Sequence, residues 1–94
     1  MFAEGRSLHG DLVVLFVAPG WAGTAFVAAR RVGGAVDRNL ARRILRAAWR
    51  QVAQQVNDRY DFVLVARQGI RGAKTQDLVA EMTELLGLAE VMRA

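Results

Sequence analysis

"RRVGGAVDRNLARRILR" (Arg30–Arg46) places six arginines in seventeen residues, threaded through Val, Leu, Ile and Ala. The spacing predicts a helix over residues 36–56. With Arg38 at zero and about 100° per residue, Arg42, Arg46 and Arg50 fall near 40°, 80° and 120°, Asn39 near 100° and Arg43 near 140°. On the same wheel Val36, Leu40, Ile44, Ala48 and Val52 run from about 160° to 320°, joined by Ala41 and Leu45, and this arc is expected to be core. Trp49 lies at the border of the two arcs, and packing against a C-terminal helix is expected of it. Solvated helix faces usually mix signs, because opposite charges at i, i+4 stabilise and like charges repel. Here Arg38–Arg42–Arg46–Arg50 is a ladder of one sign with no carboxylate between its ends. A polyanionic partner accounts for it better than solvent does.

The start of this helix supports the same reading. Gly33 and Gly34 carry no side chains where a first turn exposes free N–H groups, which lets a phosphate approach the backbone. Asp37 reads as a cap or first-turn acid. Arg30 and Arg31 end the preceding strand and extend the basic surface, and Asn39 lies on the arginine side.

Working outward, "TAFVAA" (Thr24–Ala29) reads as a strand before the helix and "YDFVLVAR" (Tyr60–Arg67), nearly continuous in apolar residues, as a central strand after it. A strand–helix–strand unit of this kind makes its strands parallel. "DLVVLFV" (Asp11–Val17) is a strand closed by the Pro/Gly turn "APGWAG", and is expected to form a hairpin with Thr24–Ala29. Its alternation puts Leu12, Val14 and Phe16 on one face and Val13, Leu15 and Val17 on the other. Residues 2–9 read as an edge strand. "QGIRGAK" is a loop, and a second helix runs from Thr75, its expected N-cap, to about Leu86, with Asp77 near its positive end. The fold class is therefore α/β (α+β): a two-layer sandwich of an approximately four-stranded sheet with the long basic helix and a C-terminal helix on one face.

The totals agree. Ninety-four residues suit one domain spanning residues 1–94. Thirteen basic residues, twelve of them Arg, against nine acidic ones give a net charge of +4, and arginine is the base suited to bidentate phosphate contacts. No cysteine is present, which excludes disulfides and thiolate metal sites. The apolar run Leu12–Ala18 is too short to span a bilayer, and a cytoplasmic protein is the default expectation. His9 has no second histidine to share a metal with and reads as a strand-end or surface residue. Asp58 and Asp61 look like turn formers. Trp21, in the Gly-rich turn, finds no assignment. Nothing resembles a nucleophile–base pair or a carboxylate metal cluster.

At Arg30–Arg46 the sequence resembles the protein subunit of bacterial ribonuclease P. That family carries a signature of the form basic–basic–x–Gly–x–Ala–Val–x–Arg–Asn–Arg–x–Lys–Arg–x–x–Arg between a strand and a helix. "MFAEGRSLHGDLVVLFV" and "DRYDFVLVARQGI" resemble the stretches around it, so nearly the whole chain is covered in order. The resemblance implies a ribosomal-protein-S5-domain-2-like fold and an RNA-binding accessory subunit. Its partners would be the ribonuclease P RNA and the 5′ leader of precursor tRNA. It also implies that the RNA is the catalyst, that Mg2+ is bound by that RNA, and that the protein holds no cofactor, metal or catalytic residue of its own. By the same resemblance Arg38, Asn39, Arg42, Arg43 and Arg46, extended by Arg30 and Arg31, face the catalytic RNA. A cleft between that helix and the sheet would hold the single-stranded leader, with Phe2, Val14, Phe16 and Arg67 as its residues. Stacking surface beside charge is what unstacked nucleotides need.

Two departures stand out. Leu40 occupies the position of the second arginine of the Arg–Asn–Arg triplet. The family's basic N-terminal helix has no counterpart ahead of Phe2, which implies a misplaced start or a shortened protein. Two other readings stay open: a general RNA- or DNA-binding domain of similar fold, and a protein-interaction domain whose arginine face meets an acidic partner.

Overall fold

The computed structural model describes residues 5–93. Four strands form one sheet, β1 (Arg6–His9), β2 (Val13–Pro19), β3 (Thr24–Ala28) and β4 (Tyr60–Ala66), in the order β1-β2-β4-β3. Two helices, α1 (Ala35–Val52) and α2 (Thr75–Leu88), complete the fold. The expected α+β sandwich is present, and β3 runs parallel to β4 in the register Thr24↔Phe62 to Ala28↔Ala66. The expected hairpin of the second and third strands is not. β4 lies between them, antiparallel to β2 from Val13↔Ala66 to Pro19↔Tyr60. Its apolar residues decide this: burying Phe62, Leu64 and Ala66 on one face while Val63 and Val65 are half-buried on the other requires the centre of the sheet.

One face of the sheet carries Val13, Leu15, Val17, Phe62, Leu64 and Ala66, all buried with Ala41, Leu45, Ala48 and Val52 of α1 and Leu78, Met82, Leu85 and Leu86 of α2. Val14 and Phe16 point the other way, paired with His9 and Ser7 on β1 and with Val65 and Val63 on β4. Leu12 precedes β2 and packs against the core instead of joining Val14 and Phe16. The alternation therefore separates the two faces from Val13 onward.

The core arc of α1 is narrower than its hydrophobicity implies. Its buried residues, Ala41, Leu45, Ala48 and Val52, cluster between about 280° and 340° on the same wheel. Val36 is 81% and Leu40 52% exposed, against expectation. The cause is angle: on that wheel Val36 and Leu40 stand about 150° and 110° from the centre of the buried arc. Both side chains therefore turn away from the sheet, and Val36 faces solvent. Leu40 and Ile44 border a groove shared with Ile70, Arg71 and Ala73 in the loop before α2.

Thr75 is the first helical residue of α2 and not its N-cap. Lys74 holds that position, and its N–H donates to Asp77 Oδ2 at 2.9 Å. The chain leaves α2 through Glu90 in a left-handed conformation, φ 58°, and returns to bridge Val56 at Met92.

A contact across 70 residues that local patterns do not reveal ties α2 to the β1–β2 turn. Glu81 accepts the backbone N–H groups of Asp11 (2.8 Å), Leu12 (2.9 Å) and Val13 (2.8 Å). Gly10 is required beside it, since a Cβ there would lie 2.4 Å from the carboxylate. Hydrogen bonds to a charged acceptor contribute about 1.5–3 kcal/mol. Glu81→Ala is expected to lower stability by about 2 kcal/mol in urea denaturation, roughly a 10 °C fall in Tm for a domain of this size.

Candidate nucleic-acid interface

The route from β3 to α1 takes six residues, 29–34. Ala29 is followed by a single 3-10 turn, Arg30–Val32, which buries Val32 completely and leaves Arg30 and Arg31 exposed. Gly33 then adopts φ 144°, ψ −156°, a conformation open essentially to glycine alone. A Cβ there would also meet Asp37 Oδ2 at 2.4 Å. Gly34 is the N-cap, and its N–H donates to Asp37 Oδ2 at 3.3 Å, so Asp37 is the capping acid that the sequence suggests. Asp37 also lies 3.8 Å from Arg71, the only ion pair among the described residues. Around a Cβ placed on Gly34 there is nothing within 4 Å, so its backbone is open to an approaching ligand.

From this start the arginines fan out. Arg43, Arg46 and Arg50 are exposed, and Arg38 and Arg42 half-buried. Arg42 donates to the Asn39 side-chain oxygen one turn back, which braces both groups. The Arg46 guanidinium lies 5.7 Å from the centroid of the Phe26 ring on β3, a cation–π contact that fixes its direction. Among the described residues no carboxylate pairs with any of Arg30, Arg31, Arg38, Arg42, Arg43, Arg46 or Arg50. Trp49 tilts onto Phe62 of β4, centroids 5.0 Å apart. It does not pack on α2, because α2 approaches α1 on the side of Gln51, which bonds Gln76.

On the opposite face of the sheet a hollow of about 560 Å³ is lined by His9, Asp11, Val14, Arg31, Val65, Arg67 and the backbone around Gln68–Gly69. It brings together Val14, Arg31 and Arg67 of the residues named from the sequence. Phe16 lies two residues further along the same face of β2, half-buried, and Phe2 lies outside the described residues. Arg67 is partly committed to the fold, because its guanidinium donates to the Gly10 carbonyl at 2.8 Å. This corrects one expectation. The hollow that holds Val14 is not between α1 and the sheet, since α1 packs on the other face. The arginines instead straddle β3, the sheet's edge strand: Arg31 reaches the open face while Arg46 lies over Phe26 on the helix side.

The sequence does not reveal the loop that follows β2. Asp61 is not a turn former. It stands in β4, and its Oδ1 accepts the N–H groups of Trp21 (3.0 Å) and Gly23 (2.8 Å).

Comparison with known proteins gives a consistent result. The family model described as Ribonuclease P matches residues 1–90. The ribonuclease P protein component of Symbiobacterium thermophilum is 34% identical, over 99% of this chain and 84% of that protein. For that of Pelotomaculum thermopropionicum the figures are 38%, 73% and 62%. For that of Enterococcus faecalis they are 30%, 67% and 53%, so the match spans about half of that relative's length. In fold, the chain is similar to the RNase P protein of Staphylococcus aureus, with a TM-score of 0.78 at 19% identity over 95% of this chain and 84% of the other. It is also similar to that of Thermotoga maritima, with 0.75 at 22% identity over 88% and 82%.

The two glycines make separable predictions. Gly33→Ala is expected to cost about 1–3 kcal/mol, from its backbone conformation and the clash with Asp37. Gly34→Ala should stay within about 1 kcal/mol, the usual difference at an N-cap. Thermal unfolding of the two variants side by side checks this order.

Proposed function

The chain belongs to the ribonuclease P protein family, and from that membership we propose that it is the RNA-binding subunit of a cytoplasmic ribonuclease P. It would assist the catalytic RNA in removing the 5′ leader of precursor tRNA. In this reading residues 1–94 act as one RNA-binding domain. The observation that carries it is the α1 ladder, Arg38–Arg42–Arg46–Arg50, which has no carboxylate partner among the described residues. Four like charges on one helix face repel one another unless phosphates lie against them.

Arg38, Asn39, Arg42, Arg43 and Arg46 bind the catalytic RNA, and Arg30 and Arg31 carry the basic surface around the β3 edge. The open face of the sheet, with Val14, Phe16 and Arg67, receives the leader, and Phe2 is assigned to the same role from the family signature alone: apolar and aromatic groups for bases, arginines for backbone. Phosphodiester hydrolysis belongs to the RNA, and the Mg2+ it needs is held by RNA phosphates. Among the described residues no three His, Asp, Glu or Cys side chains gather as metal ligands, and no residue of the chain is assigned to the metal. Among the same residues no helix is long and apolar enough to cross a membrane.

Arg42→Glu with Arg46→Glu tests the helix. Both side chains lie outside the core, and the new i, i+4 pairs with Arg38 and Arg50 favour the helix, so Tm should move by less than about 5 °C. Affinity for ribonuclease P RNA should fall at least tenfold. The slope of log affinity against log salt should shrink by about 1.4 to 1.8, the share of two phosphates. Unchanged affinity would remove α1 from the interface.

Reconstitution tests the activity. Protein added to ribonuclease P RNA at low Mg2+ should accelerate cleavage at the mature 5′ end of precursor tRNA. Tight binding with no acceleration, and no preference over random RNA of equal length, would identify a general nucleic-acid-binding domain instead.

A further inference from the structure

The loop after β2 presents Trp21 with 80% of its surface exposed. A mobile loop would give the indole no fixed direction, but this one is fastened. Gly20 N–H donates to the Arg59 carbonyl at 2.9 Å and Ala22 N–H to the Tyr60 carbonyl at 3.0 Å. Asp61 takes the N–H groups of Trp21 and Gly23. Gly20 and Gly23 leave room for that carboxylate, since a Cβ at Gly20 would lie 2.1 Å from it. Ala22 is held at φ 65°, a conformation that costs a non-glycine residue free energy and persists only where its surroundings enforce it. The fold thus holds a large apolar ring out in solvent, on a braced loop.

Charge narrows what the ring meets. The Arg59 guanidinium lies 5.3 Å from the Trp21 ring centroid. The loop lies beside the end of α1, where Ala22 and Thr24 share a hollow with Trp49, Ala53, Asn57, Asp58 and Arg93. Arg50, exposed on the last turn of that helix, lines the next hollow with Trp49 and Ala53. Asp58 and Asp61 are the acids of this end, and Asp61 is engaged by the two backbone N–H groups. An aromatic face beside unpaired arginines, continuous with a basic helix, is the arrangement that stacks a base and holds its phosphate.

We propose that Trp21 and Arg59 form a stacking site for one unpaired nucleobase of the RNA partner, at the opposite end of α1 from Gly33–Gly34. The ring face turned away from Arg59 stacks on the base, and Arg59 meets the adjoining phosphate. The site rests on the RNA-binding reading given above and adds to it a contact outside the arginine signature. It lengthens the RNA footprint along the whole of α1, roughly 27 Å for its eighteen residues.

The test compares Trp21→Ala, Trp21→Phe and Arg59→Gln in the full chain, by affinity for ribonuclease P RNA. Loss of one stacked base should weaken Trp21→Ala by about 5- to 100-fold. Trp21→Phe should retain most of the affinity, and Arg59→Gln should bind several-fold more weakly with a shallower salt dependence. Tm should be unchanged for both Trp21 variants, because the loop is held through its backbone. Titration with the RNA should quench the indole fluorescence of the wild type far more than that of Trp21→Phe. Wild-type affinity in Trp21→Ala would overturn the site, as would unchanged RNA affinity accompanied by loss of self-association in sedimentation. The Arg42→Glu, Arg46→Glu variant separates the two levels. If it loses the RNA while Trp21→Ala does not, the stacking site alone falls; if it keeps the RNA, the reading beneath falls too.

Discussion

The structure depends on how the chain turns from β3 into α1. Six residues, 29–34, must reverse the backbone, bury Val32 and deliver the helix onto the sheet in one rotational phase. Gly33 at φ 144° makes the reversal possible, and Asp37 fastens it by accepting the Gly34 N–H. Once that phase is set, Ala41, Leu45, Ala48 and Val52 point into the core and every arginine of the helix points away from it. A shift of one residue that put Arg42 and Arg46 in the places of Ala41 and Leu45 would turn the helix by about 100° and drive guanidinium groups against Leu15 and Leu64, which are almost wholly buried. Desolvating an unpaired charge there would cost several kcal/mol. The fold and the basic surface are therefore specified by the same short segment.

Electrostatics within α1 are not optimised for the isolated chain. Arg38 stands in the first turn, where the helix dipole disfavours a cation, and four arginines follow one another at i, i+4. Each unfavourable term is a few tenths of a kcal/mol, against about 2 kcal/mol or more for burying a leucine such as Leu45. Packing wins easily, so the helix forms despite its charges. A small standing repulsion of this kind is released when phosphates neutralise the ladder, and in the proposed reading it contributes to holding the RNA.

Much of this was legible in the sequence, for physical reasons. The strands were readable because alternation and β-branched runs leave strong local signals, and the central place of β4 followed from its two-sided burial. The placement of the arginines was readable because their i, i+4 spacing sets them on a side of the helix other than the buried Ala41, Leu45, Ala48 and Val52. What stayed hidden depends on distant parts of the chain. Glu81 reads as an ordinary surface acid on α2, and only the tertiary fold brings it under Asp11–Val13. Asp61 sits in a strand, and its work is done on a loop 40 residues earlier. The strand order could not be read, since the Gly-rich segment before Thr24 looks like a hairpin turn whether or not the strands pair. Val36 and Leu40 misled for another reason: both are apolar, but they lie about 150° and 110° around the helix from the centre of the arc that is buried.

The placement of Leu40 shows what that geometry means for the signature. The second arginine of the family's triplet is replaced by a residue on the groove side of α1, bordered by Ile44, Ile70 and Ala73. This flank lies away from β3 and from the Arg46–Phe26 contact. Of the arginines that remain, Arg46 and Arg50 border Phe26 of the edge strand, and Arg38 and Arg42 continue the same i, i+4 ladder. Replacing Leu40 by Arg would thus not lengthen that ladder; it would open a second charged line beside Arg71, which is already paired with Asp37. A leucine there keeps the basic surface on one side and adds no charge to a groove that already holds Asp37 and Arg71, so in the proposed reading the phosphate backbone meets one track of arginines and not two.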